Sequence, residues 1–309
     1  MILGGDLGGT KTLLALAETD GGKIRIVRQQ RYASADYPTF EALLGEFLAG
    51  GPTITSACFG VAGPTDGLNA RLTYLPWCLA ASDLGRRFAI PRVALANDFA
   101  AAAHGLPLLD AKQVLTLRAG QPLEGAPRVM LGAGTGLGVA GQIWEGDRYR
   151  VISGEGGHFG FSPQTPEQLE LARWLLTTNG RVTTEDIVSG PGLARIYAFF
   201  GGRPQQADTI GQAALAGSDP LARQALDFWL SCYGAFAGDL AMHWLARGGV
   251  FLAGGMAAKL MPDIDCTPFI DAFLAKREHR DLVHDMPIYL ITAEDLGLRG
   301  ALALAAAQP

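Results

Sequence analysis

Apolar positions at the start of the chain form two short runs, Met1–Leu3 and Leu13–Leu16, on either side of the glycine-rich segment Gly4–Thr12 (GGDLGGTKT). Short apolar runs flanking glycines predict two strands joined by a tight turn. The same pattern returns at Val129–Leu131, Gly132–Gly138 (GAGTGLG) and Val139–Ala140, and a third glycine signature, Phe251–Met256 (FLAGGM), closes another short apolar run. A repeated turn predicts a repeated domain. Backbone amides at such turns can face an anion, and residues without Cβ let the main chain approach a phosphate closely. The three signatures in this order point to phosphate transfer.

Between them the periodicity alternates between strand and helix. A strand over Lys23–Tyr32 follows a Gly21–Gly22 turn, and Phe40, Leu43, Leu44, Phe47 and Leu48 recur at helical spacing after Tyr37–Pro38. Ser56–Ala62 is a buried strand ending in Gly63–Pro64, Ser82–Phe88 is amphipathic, and a strand over Arg92–Ala96 steps through Asn97–Asp98 into an alanine-rich helix, Phe99–His104. After Leu106–Pro107 the hairpin pattern restarts, with strands over Val129–Leu131, Val139–Glu145 and Tyr149–Ile152. Helices are expected over Pro166–Thr177, Gly192–Phe200 and Leu221–Leu245, strands over Val250–Ala253 and Pro287–Thr292, and a last helix over Leu296–Ala306. Strands that precede the helices in this way predict an α/β fold of two ribonuclease H-like domains, mixed β-sheets flanked by helices, with an interdomain cleft. The expected division is a small domain, 1–107, completed by the C-terminal helix 296–309, and a large domain, 108–295.

Composition narrows the function. A chain of 309 residues, 49% apolar, is long enough for about two cores. Its 41 glycines follow no collagen period and are assigned to turns. A net charge of −5 without a dense Lys/Arg run argues against a nucleic-acid surface and for a small-molecule partner. Cys58, Cys78, Cys232 and Cys266 lack CxxC spacing and read as buried free thiols in a reducing compartment. The N-terminus carries no leader pattern and no apolar stretch approaches about 18 residues, so a soluble, cytoplasmic chain without a membrane partner is expected.

Candidate chemistry gathers at the turns. Asp98, at a strand end and a helix start, is positioned to take a hydroxyl proton during phosphoryl transfer, although Asn97 or Asp98 could equally be a helix cap. Asp6 beside Gly8 and Gly9 implies a cation between carboxylate and phosphate, so Mg²⁺ held through water, or else an Asp that braces its own turn. Thr10 and Thr135 offer hydroxyls, and Lys11 points to phosphate or to solvent. In Gly154–His158 (GEGGH), Glu155 and His158 can converge on a polyol, while zinc is disfavoured because no further His or Cys stands at ligand spacing. Glu185, before the Ser189–Gly192 turn, is by itself an ordinary carboxylate.

Read together, Asp6–Thr10, Asn97–Asp98, Gly132–Gly138, Gly154–His158, Ser189–Gly192 and Ala253–Gly255 resemble the bacterial ATP-dependent glucokinase family, within the superfamily of sugar kinases, heat-shock chaperone ATPases and actin. The resemblance runs from about residue 3 to about residue 300. It implies ATP and Mg²⁺ as cofactors, glucose as substrate, Asp98 as the base for the 6-hydroxyl, and Asn97, Glu155, His158 and Glu185 as sugar ligands. It further implies Asp6, Gly8, Gly9 and Thr10 as the first phosphate loop, Gly134, Thr135 and Gly136 as the second, Gly254 and Gly255 beside adenosine, and a homodimer. Two departures stand out. Family members often carry Asn a few residues before the tryptophan in the segment Thr73–Trp77, where Tyr74 stands here. The GGTKT loop is also similar to the ROK group of sugar kinases and repressors, but that group's cysteine-rich zinc motif is missing from Phe159–Pro166. Expected rivals are a kinase for another hexose or hexosamine, and a non-catalytic sugar sensor or chaperone-like ATPase, with polyphosphate left open as the donor.

Overall fold

The computed structural model describes residues 1–21 and 23–308. Gly22 of the Gly21–Gly22 turn, and Pro309, lie outside the described residues. The chain divides into two units, one comprising Met1–Asp110 with the C-terminal stretch from Asp295, the other Ala111–Glu294.

The first unit is built on β1 (Ile2–Leu7), β2 (Lys11–Asp20), β3 (Lys23–Ala33), β4 (Ser56–Val61) and, later in the chain, the strand Val93–Asn97. The short strands β5 (Asn69–Arg71) and β6 (Cys78–Ala80) form a separate ribbon, so Val93–Asn97 is β7, and the sheet order is β3-β2-β1-β4-β7. β2 runs antiparallel to β1 and β3, whereas β1, β4 and β7 are parallel. The near-continuous burial of β1 and β4 follows, because parallel strands are covered on both faces. Helices α1 (Phe40–Leu48), α2 (Ala81–Phe88) and α3 (Asp98–Gly105) complete the N-terminal stretch. Leu3, Leu7, Leu14, Phe40, Leu43, Phe47 and Phe59 fill one face of the sheet, and Ile2, Leu13, Ala15 and Cys58 meet Leu298 and Leu302 on the other.

In the second unit the same strand order recurs. β8 (Val114–Arg118), β9 (Arg128–Ala133), β10 (Leu137–Trp144), β11 (Tyr149–Gly154), β12 (Val250–Ala253) and β13 (Ile288–Ile291) lie in the order β11-β10-β9-β12-β13-β8. β8 adds an antiparallel edge strand that the first sheet lacks. The helices are α4 (Pro166–Asn179), α5 (Gly190–Phe199), α6 (Ala207–Leu215), α7 (Pro220–Trp244), α8 (Gly255–Leu260), α9 (Thr267–Leu274) and α10 (Arg280–His284). The core is centred on α7, whose Trp229, Leu230 and Tyr233 are wholly buried against β9, α5 and α9.

α11 (Leu296–Ala306) belongs to the first unit. It lies on β1, β4 and α3, and a Cβ at Gly300 would come within 1.6 Å of the Ala101 carbonyl oxygen. Arg299 fixes the helix start by bonding Asp295 at 2.9 Å and the Leu108 carbonyl at 3.1 Å.

Several expectations are corrected. α1 begins at Phe40, with Thr39 as its cap, because the Thr39 hydroxyl accepts the Ala42 N–H at 3.3 Å. α5 begins at Gly190, with Ser189 as its cap. The strands β5, β6 and β8 and the helices α6, α8, α9 and α10 were not expected; the three-residue strands hold too little alternation to register. Cys58 and Cys232 are buried, but Cys78 is exposed and Cys266 half-buried. No helix among the described residues is long and apolar enough to cross a membrane.

Candidate active site

In the first unit the site is set by strand register. Leu7, Val61 and Asn97 stand in one row across β1, β4 and β7, with Asp6, Gly60 and Ala96 in the row before. Two strand spacings separate β1 from β7, so Asp6 and the Asn97–Asp98 step lie about 10 Å apart at the carboxyl ends of parallel strands. α3 is drawn close to this row because Gly60 has no Cβ; one would touch the Ala101 Cβ at 3.0 Å.

Asn97 is the cap of α3. Its Oδ1 accepts the N–H groups of Phe99 and Ala100 at 3.0 and 3.1 Å, which leaves Nδ2 as a donor. Asp98 is the first helical residue, and its Oδ1 accepts the Phe99 N–H at 2.8 Å. Asp98 therefore stands at the amino-terminal end of α3.

The first glycine turn joins β1 to β2. It is closed by the Gly8 N–H, which donates to the Lys11 carbonyl at 3.0 Å. A Cβ at Gly9 would meet the Tyr74 Cβ at 2.9 Å, so the residue that departs from the family pattern packs on this turn. Thr10 and Lys11 are exposed, and Lys11 pulls electrostatically on Asp6. Asp6 shares a face with Ile2 and Gly4 and points at α11, where a Cβ at Gly297 would come within 2.9 Å of its carboxylate. Among the described residues this carboxylate accepts no side-chain hydrogen bond, and burial pushes it up to about 6 against the pull of Lys11. Sequence reasoning missed Gly297, and with it Thr12 and Ser34, two wholly buried hydroxyl residues behind the turn.

In the second unit, Glu185 bonds the second glycine turn. Its Oε2 accepts the Leu137 N–H at 2.8 Å, and a Cβ at Gly136 would touch the same oxygen at 2.6 Å. The turn is closed by the Gly134 N–H on the Gly136 carbonyl at 2.8 Å, and the Gly134 carbonyl accepts the Gly190 N–H from the start of α5, also at 2.8 Å. Thr135 is exposed at its tip. The Glu185 N–H donates to the Gly157 carbonyl at 2.9 Å, which ties the GEGGH segment to the same point. Gly157 must lack a side chain, since a Cβ would lie 2.0 Å from the Leu137 carbonyl oxygen.

Glu155 and His158 bracket a short 3-10 turn, with Oε2 and Nε2 4.0 Å apart and both side chains exposed. Gly254 has φ +90°, and a Cβ there would be 2.5 Å from the Ala133 carbonyl oxygen, so the third glycine signature abuts the second. It is the one glycine of the three signatures with positive φ among the described residues; Gly4, Gly5, Gly9 and Gly136 instead make room for close neighbours. Gly255 is exposed with open space where a Cβ would stand. The structure therefore brings Gly134–Gly136, Gly157, Glu185, Gly190 and Gly254 together in one unit, and Asp6, Gly8–Thr10 and Asn97–Asp98 in the other.

Among the described residues no group of three or more His, Cys, Asp or Glu side chains could hold a metal ion. A lone hard carboxylate such as Asp6 suits a cation that keeps most of its water, which is how Mg²⁺ is usually bound.

Known proteins resemble the chain over nearly its whole length. The glucokinase family model matches residues 3–308. The glucokinase of Nostoc sp. is 37% identical over 99% of this chain and 99% of its own. The crystal structure of glucokinase from an Antarctic psychrotroph superposes with a TM-score of 0.85 at 30% identity and covers 99% of both chains. A ROK family glucokinase from Streptomyces griseus, solved with glucose and AMPPNP, shares the fold at a TM-score of 0.67, 22% identity and 99% coverage of both. With the family model matched over residues 3–308 and a glucokinase 37% identical over 99% of both chains, the chain belongs to the glucokinase family.

Proposed function

We propose that the chain is an ATP-dependent hexose kinase that converts ATP and D-glucose to ADP and glucose 6-phosphate. The observation that carries the reading is the register across β1, β4 and β7, which sets the first glycine turn and the Asn97–Asp98 step at the same end of two parallel strands with β4 between them. Family membership gives the substrates. Asp98, at the start of α3, takes the proton of the 6-hydroxyl as the phosphoryl group transfers. Asn97, with Oδ1 committed to the helix, offers Nδ2 to a sugar hydroxyl. Glu155 and His158 bind further hydroxyls, and Glu185 uses the oxygen not engaged by Leu137.

The amides of Gly8–Thr10 and Gly134–Gly136 receive phosphate oxygens, and Gly254–Gly255 borders the adenosine. Asp6 would hold Mg²⁺ through water, and the ion, when bound, neutralises charge on the terminal phosphates. We also assign the protein to the cytoplasm as a homodimer. The exposed Leu169 and Leu176, two turns apart on α4, are apolar surface that a second copy would cover.

A coupled assay with Mg²⁺ and either ATP or polyphosphate, offering glucose, mannose, fructose, N-acetylglucosamine and N-acetylmannosamine separately, tests the reading. Turnover is expected with ATP and glucose, and Asp98→Ala should lower kcat by about 10²–10⁴ with its fold retained. Turnover on another sugar alone would overturn the substrate, a result the Tyr74 departure makes worth seeking. Near-normal kcat in D98A would overturn the base.

A further inference from the structure

Behind the first glycine turn stands a pair of buried hydroxyls that the phosphate reading does not use. Thr12 and Ser34 are both 0% exposed. The Ser34 hydroxyl donates to the Gly8 carbonyl at 2.8 Å, and Thr12 Oγ1 lies 2.9 Å from Ser34 Oγ. The Ser34 N–H donates to the Thr10 carbonyl at 3.1 Å. The proton order follows from chemistry. A carbonyl can only accept, so Ser34 spends its single hydroxyl proton on Gly8, and Thr12 must donate to Ser34 Oγ.

The consequence is orientation. Within one peptide plane the C=O and the following N–H point in opposite directions. Holding the Gly8 carbonyl toward Ser34 turns the Gly9 N–H away from it, and holding the Thr10 carbonyl does the same to the Lys11 N–H. Buried hydroxyls are costly unless bonded, and valine and alanine would fill the same volumes without that demand. The hydrogen bonds to the turn are what the two hydroxyls supply.

We propose that Thr12 and Ser34 form a positioning pair that aims the Gly9 and Lys11 amides at a phosphate oxygen of the nucleotide; the proposal rests on reading Gly8–Thr10 as a phosphate turn. The test measures binding of Mg·AMPPNP and of glucose separately, with thermal stability, for the wild type, Thr12→Val, Thr12→Ser and Ser34→Ala. T12V keeps the shape of Thr12 without the donor, and T12S keeps the donor without the methyl. T12V and S34A should bind the nucleotide about tenfold more weakly, the effect of one lost buried hydrogen bond, with glucose affinity held within about twofold. T12S should bind like the wild type. Equal nucleotide affinity in T12V and wild type, or a parallel loss of glucose and nucleotide binding in T12V, overturns the proposal and leaves the phosphate-turn reading standing. Failure of the wild type itself to bind Mg·AMPPNP overturns both.

Discussion

Replacing Asp6 by Asn should stabilise the protein at neutral pH while impairing its use of nucleotide. Burial beside α11 lifts the Asp6 carboxyl from its ordinary 3.8 to about 6, with Lys11 opposing. At about 1.4 kcal/mol for each pH unit, holding Asp6 ionised in the folded state costs about 3 kcal/mol. Because the folded value lies above the unfolded one, the folded chain binds the proton more tightly. The stabilisation is complete below about pH 4 and is lost as pH rises through about 6. Asn is nearly isosteric with the protonated acid and carries no charge at any pH. Denaturant unfolding of Asp6→Asn and wild type from pH 4 to pH 8 should therefore give coincident curves at the acid end. The variant should gain up to about 3 kcal/mol over wild type by pH 8. Mg·ATP should then protect the wild type more than the variant, since ligand binding stabilises by mass action. A stability difference independent of pH, or a D6N protein less stable than wild type at pH 8, would refute the reasoning.

Two further outcomes follow from the packing. Glu185→Ala removes the acceptor for the Leu137 N–H and opens space beside Gly136, so KM for ATP should rise about tenfold together with KM for glucose. Steady-state kinetics that show only the glucose KM moving would mean that the second turn needs no support from this carboxylate. Gly300→Ala would force a methyl to within 1.6 Å of the Ala101 carbonyl and push α11 off α3, at a cost of about 3 kcal/mol or more. Thermal denaturation should show a large fall in Tm, and an unchanged Tm would mean that the two helices separate freely.

The glycine turns, the strands around them, the bounds of α11 and the placing of Asn97–Asp98 between a strand and a helix were legible in the sequence. Each rests on a local period or a local conformational preference, which a short window contains in full. A repeated domain was legible for the same reason, since the turn that starts each sheet is spelled twice, but the strand order that the two sheets share was set by pairings between distant segments. What the turns rest on was not legible. Glu185 reaches the Leu137 N–H across 48 positions, and Ser34 reaches the Gly8 carbonyl across 26. Nothing near either residue marks it, because a Glu before a helix and a Ser after a strand are ordinary in both places. The environment of Asp6 was hidden likewise: alternation along β1 sets which face it takes, but only the return of α11 decides that this face is covered and that Gly297 makes room. Sequence specified the glycine turns and the main strands and helices around them, because those follow from residue type and spacing. Tertiary structure decided which donors, carbonyls and bare α-carbons meet, because those meetings depend on strand register and helix approach between segments far apart in the chain.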